Sequence, residues 1–182
     1  MKHLLLTTIA AVVVVGCGGP PEGIWGAAGQ GDLAVVQREL NKGEDVNARD
    51  EVYGGTPLHN AANKEVAELL LANGADVNAK ANNGSTSLHN ADNKEIAELL
   101  LANGADVNAK GVNGVTPLFG ASGPGRKEIA ELLISKGVNV NAKNDDGETP
   151  LDWAEEVEHT ETADLLRKHG GKTGEELKAE GK

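Results

Sequence analysis

The chain has 182 residues, a formal net charge of −11 and only 2% aromatic residues. Phosphate backbones demand clustered Lys and Arg, so this balance excludes a nucleic-acid partner but allows a basic protein surface. The shortage of large rings argues against one deep core, because such rings dominate compact interiors.

Met1, Lys2 and His3 form a short basic start, and Leu4 to Val15 is an apolar run of twelve broken only by Thr7 and Thr8. A bilayer needs roughly 20 such residues, so this run reads as a secretory signal and not as a span. It ends in Val14-Val15-Gly16-Cys17, which resembles the bacterial lipoprotein signal. The resemblance implies cleavage after residue 16 and acylation (palmitate-type chains) of Cys17, the sole cysteine. Each buried methylene of an acyl chain contributes about 0.8 kcal/mol, so two or three chains tether a protein to a membrane without a spanning helix. Removing residues 1–16 takes Lys2 from 17 basic residues and nothing from 28 acids, leaving −12. The Gly/Pro-rich segment 17–23 reads as a tether.

Beyond it, Ala67 to Lys80 is repeated letter for letter at Ala97 to Lys110. A Thr-Pro-Leu marker or its variant falls at Thr56, Thr86, Thr116 and Thr149, at intervals of 30, 30 and 33. Periods of 20–50 residues mark a solenoid, where each unit buries its apolar face on its neighbours. Pro57, Pro117 and Pro150 suit the first helical position, where the missing N–H would have had no partner, and the preceding threonine suits the cap. Val66, Leu69, Leu70 and Ile96, Leu99, Leu100 give a second helix with one apolar stripe. Asn73-Gly74 and Asn103-Gly104 end it, and the polar stretches that follow read as extended fingers leading to the next unit.

The phrases Thr56-Pro57-Leu58-His59-Asn60-Ala61-Ala62 and Gly74-Ala75-Asp76-Val77-Asn78-Ala79-Lys80 resemble the ankyrin repeat. The resemblance implies an all-α solenoid of about five helix pairs joined by hairpin-like loops over residues 24–170. Its units fall near 24–55, 56–85, 86–115, 116–148 and 149–170, with a charged tail at 171–182 that frays or adds one helical turn. Trp25 and Trp153 lie in the terminal units, where a large ring covers apolar surface that lacks a neighbour or anchors a partner.

Three departures stand out. The units starting at Thr56 and Thr86 omit three residues between their helices, so the first helix or its loop must shorten by nearly one turn. The next unit restores the length with Ser122 to Arg126, read as a loop that either raises a step beside the two shorter units or is neutral length variation at the surface. Ser87 replaces proline, while Phe119 and Asp152 replace His59 and His89 at the fourth motif position, so the Thr116 unit lacks the family's Thr–His hydrogen bond.

No catalytic constellation emerges. Stacked units place equivalent residues roughly 10 Å apart, too far for His59 and His89 to share a zinc ion. Gly170-Gly171-Lys172-Thr173 lacks the earlier glycine of a phosphate loop, because that position is Leu166, and His159 and His169 read as surface residues. Asn144-Asp145-Asp146-Gly147 fails as a calcium loop, its twelfth position being Trp153. No metal or cofactor is expected.

The resemblance therefore implies a non-catalytic module for protein–protein interaction, expected as a monomer lipid-anchored in the bacterial cell envelope. A neutralising or protective partner of a toxin or envelope enzyme is the alternative, and a hydrolase a remote one. Candidate contacts carried over by motif are Tyr53, Asn82, Asn83, Val112, Asn113, Asp145 and Asp146 on the fingers, with Asn60, Asn90, Gly120 and Trp153 on the first helices. The segment 144–161 holds eight acids and no Lys or Arg. It serves as a solvated capping face or as a docking patch for a basic partner.

Overall fold

A computed structural model describes residues 23–181. Ten α-helices form among the described residues, and eight of them run in pairs: α1 (Ile24–Gln30) with α2 (Leu33–Asn41), α4 (Ser87–Asn90) with α5 (Lys94–Ala102), α6 (Pro117–Ser122) with α7 (Lys127–Ser135), and α8 (Pro150–Glu156) with α9 (Thr160–Lys168). In the second unit a 3₁₀ turn, Pro57–Asn60, precedes α3 (Lys64–Ala72), and α10 (Gly174–Ala179) closes the chain. No strand forms among the described residues. Besides the contacts within each pair, contacts between units run from each first helix to the next and from each second helix to the next.

Burial follows that neighbour-to-neighbour rule. Leu58, Leu88, Leu118 and Leu151 form an inner row at 0–2% exposure, and Leu70, Leu100, Leu133 and Leu166 form an outer row at 0%. Each fully buried leucine contributes about 1.5–3 kcal/mol. None can realise it unless the adjacent unit is folded.

The omitted residues come out of the first helices. The helical turns of the two short units hold four residues each, against six in α6 and seven in α8. Ser122 does not open the following loop but ends α6, fully buried, its hydroxyl donating to the Leu118 carbonyl at 2.7 Å. The loop begins at Gly123 and turns at Gly125, whose φ of 71° is left-handed. The His159 ring lies 2.6 Å from where a Cβ on Gly125 would sit, so only glycine fits.

Asparagines staple the outer ends of the units together. Asn78 donates to the Gly104 carbonyl at 3.0 Å and accepts from the Asp106 N–H at 2.9 Å. Asn47 makes the same pair of bonds one unit earlier, with Gly74 and Asp76. Asn141 repeats it at the end, with Gly170 and Lys172, and so draws the tail onto the stack. There α10 is capped by Thr173 and buries Leu177 at 5% exposure, and Arg167 reaches both Glu155 and Glu176. The tail is therefore a docked helix and not a frayed end.

Replacing Asn78 with Ala removes two exposed inter-unit bonds, and the expected cost is about 1–2 kcal/mol in chemical unfolding. Asn141→Ala should instead speed amide exchange across Gly174–Ala179 while shifting the global midpoint less.

Candidate interaction surface

The fingers stack through one backbone bond each: the N–H groups of Asn82, Val112 and Asp145 donate at 2.8 Å to the carbonyls of Tyr53, Asn83 and Asn113. Short hairpin bonds close each finger, such as Ala81 N–H to Ser85 O at 2.9 Å. The first finger has an extra brace. The Asp50 carboxylate accepts from the N–H groups of Val52, Tyr53 and Gly55. Burial pushes its pKa up, but those three donors outweigh it and hold Asp50 below the usual carboxylate range. An ionised Asp50 thus sets a tip on which Val52 is 72% and Tyr53 71% exposed.

Below that tip lies a cavity of about 420 Å³ between the fingers and the first helices. Five of the residues expected as contacts line it: Tyr53, Asn60, Asn82, Asn83 and Asn90. Trp25 lines it too. Its Nε1 is buried without a hydrogen-bond partner, so this ring is a groove wall as well as a terminal cover. Sequence reasoning missed Val52, although an apolar residue at a polar finger tip was the available signal.

The remaining candidates divide. Val112, 54% exposed, and Asn113, with a left-handed φ of 59°, carry the surface along the third finger. Asp145 and Asp146 are exposed on the fourth. Gly120 offers no side chain: a Cβ there would lie 2.3 Å from the His89 carbonyl, so glycine serves close helix packing. Trp153 is already engaged. Its ring meets Phe119 edge-on at 5.0 Å and its Nε1 donates to Glu148 at 2.8 Å.

The threonine–histidine motif is a clamp across units. The Thr56 N–H donates to His59 Nδ1 at 3.1 Å, and His59 Nε2–H donates to the Ser85 carbonyl of the next unit at 3.0 Å. Thr86, His89 and Val115 repeat it. With one ring nitrogen accepting and the other donating, neither imidazole has room for a second proton. Burial, the largest effect, holds both below the usual 6.5. Phe119 abolishes the clamp in the fourth unit, leaving the Thr116 hydroxyl buried without a partner. Asp152 reverses its polarity, accepting from the N–H groups of Thr149 and, across the junction, Gly174 at 2.8 Å.

Comparison with known proteins now decides the family. The ankyrin-repeat profile, three copies long, matches residues 24–111 and again 92–176. The chain belongs to the ankyrin-repeat family. It is 42% identical over 62 residues to mouse 2-5A-dependent ribonuclease, 32% of this chain and 8% of that protein. It is 44% identical over 61 residues to rat ankyrin repeat and SAM domain-containing protein 6, 32% of this chain and 7% of the relative. A fowlpox virus (strain NVSL) ankyrin repeat protein is 50% identical over 52 residues, 27% of this chain and 8% of its own. The chain thus spans under a tenth of each of these relatives, in the repeats alone.

Within the ankyrin array the acidic segment is only partly free. Glu148 holds Asn144 and Trp153, Asp152 caps α8, Glu155 pairs with Arg167 and Glu161 with Lys127. Asp145, Asp146, Glu156 and Glu158 remain exposed, turned outward as the solvated face of a terminal unit. No three His, Cys, Asp or Glu residues gather as a metal-ligand set among the described residues. Nor is any described helix long and apolar enough to cross a membrane.

The clamps make the ankyrin stack sensitive to acid. Because both imidazoles titrate below 6.5 when folded, the unfolded chain binds more protons just under that pH, and stability present above it is lost as pH falls. Urea midpoints should fall between pH 7.5 and 5.5. The double variant His59→Gln, His89→Gln should start lower and show a flatter dependence.

Proposed function

We propose that this chain is a non-catalytic protein-binding module that grips its partner with the concave surface of fingers and first helices. The observation that carries this reading is the convergence of Tyr53, Asn60, Asn82, Asn83 and Asn90 on one cavity, beneath an apolar tip held rigid by Asp50. Interface cores favour rigid aromatic anchors, and amides satisfy a partner's backbone without adding charge. Asn60 and Asn90 occupy the same motif position, while the finger tips change from Val52-Tyr53 to Asn82-Asn83, Val112-Asn113 and Asp145-Asp146, which suits a surface open to recognition. The nuclease named among the relatives shares repeats only, so its chemistry is not carried over.

We further propose that Cys17 is acylated and holds the module on a membrane of the bacterial cell envelope. The support is the basic start, the twelve-residue apolar run and the small residues before the only cysteine. Those residues lie outside the described part of the structure. The exposed Asp145, Asp146, Glu156 and Glu158, together with the net charge of −11, favour a partner with a basic face.

The test is affinity capture from detergent-solubilised membranes with the full chain as bait. Tyr53→Ala with Asn82→Ala should reduce retention of the captured protein at least tenfold, a loss of the size expected for an aromatic hot spot. Asp145→Asn with Asp146→Asn should reduce it less and mainly at low salt. Equal retention by all variants would place the interface elsewhere. Separately, Cys17→Ser should move the protein from the membrane to the soluble fraction; continued membrane retention would remove the lipid anchor from the proposal.

A further inference from the structure

The two shortened units leave a gap where neighbouring units carry a longer helix. Across it, between the turn Pro57–Asn60 and α4, opens a notch of about 360 Å³. At ~30 Å³ per water it equals roughly a dozen water molecules, room for one long side chain and its hydration. Asn60 and Asn90 also line the binding cavity beneath the fingers, so notch and groove share walls.

The walls are rich in unspent acceptors. Ser87, in place of proline, is 4% exposed, and its hydroxyl has no hydrogen-bond partner. That hydroxyl oxygen is fully enclosed and faces no open volume, so its cost of about 1–3 kcal/mol is carried by the fold and only the rest of the Ser87 surface borders the notch. Asn60 commits its Nδ2 to the Trp25 carbonyl at 3.4 Å, leaving its Oδ1 available. Asn90 is exposed and holds no partner. Asp92, exposed and without an ion pair, is the one formally charged residue on the rim, and no Lys or Arg lines the notch.

We propose that this notch receives an arginine side chain of the protein bound in the groove. The proposal rests on the binding role above and supplies the chemistry of one anchor. An anion is opposed by Asp92 and by the net charge of −11. A hard metal ion needs six or more oxygen ligands with several carboxylates, and one carboxylate is present. An apolar side chain would leave the Asn60 and Asn90 amides and the Asp92 carboxylate without a partner. Between the two cations, a guanidinium presents five donors in a rigid fork and is weakly hydrated, which matches acceptors spread over separate walls. An ammonium concentrates three donors at one point.

The experiment titrates the full chain with Nα-acetyl-arginine methylamide, following side-chain amide resonances of Asn60 and Asn90 and backbone resonances of Ser87 and Asp92 by NMR. Saturable shifts at these four residues are expected. The neutral isostere Nα-acetyl-citrulline methylamide and the lysine analogue should both bind more weakly. Asp92→Asn should weaken the arginine probe about fivefold, as for a single exposed charge pair, and Glu131→Gln, an exposed acid on α7, should leave it unchanged. Citrulline or lysine binding as tightly as arginine, shifts centred on the fourth finger, or no shift up to tens of millimolar would each overturn the proposal. If the notch stays silent while capture still depends on Tyr53, the arginine anchor falls and the binding role stands.

Discussion

A single imidazole carries much of the order in this array. His59 accepts from its own unit's cap and donates to the carbonyl of Ser85 in the next, so the start of one helix and the end of the following finger are held by one side chain. Tautomer, burial and spacing are bound together. The carbonyl requires Nε2–H and the cap requires a bare Nδ1, while the leucine rows bury fully in clamped and unclamped units alike. The clamps of His59 and His89 fix the second and third fingers to the helices beneath them.

Where the imidazole is missing, the replacement shows what the junction needs. Phe119 gives up the hydrogen bonds and fills the space with a fully buried ring, which Trp153 then covers edge-on. Asp152 keeps the cap but meets an N–H of the tail instead of a carbonyl, so an acceptor takes the donor's place. One unit trades polarity for packing, and the other reverses polarity to close the stack. In a solenoid such local solutions are tolerated because each junction answers only to its neighbours.

That locality also shapes function. The two shortened units lie side by side, between a terminal unit and a longer one, so the notch and the aromatic-walled cavity fall on the same stretch of the concave face. The apolar tip at Val52 and Tyr53 stands over it, held by an aspartate whose charge is spent on three backbone donors. Rigid apolar presentation beside open amides separates the anchoring part of the surface from its adaptable part.

The repeat period, the threonine caps, the prolines and the leucine spacing determined the helix pairs and their stacking, because each acts within a few residues or at a fixed interval along the chain. The loss of one turn from each short unit was likewise countable in the letters. Tertiary structure alone decided that Trp25 would wall the cavity, that Trp153 would be consumed by Phe119 and Glu148, that Gly120 would serve packing, and that the tail would dock through Asp152 and Asn141. These outcomes depend on which side chains meet across the junctions between units. Periodicity brings equivalent positions together but does not say whether the groups that meet there satisfy one another or stay open to a partner.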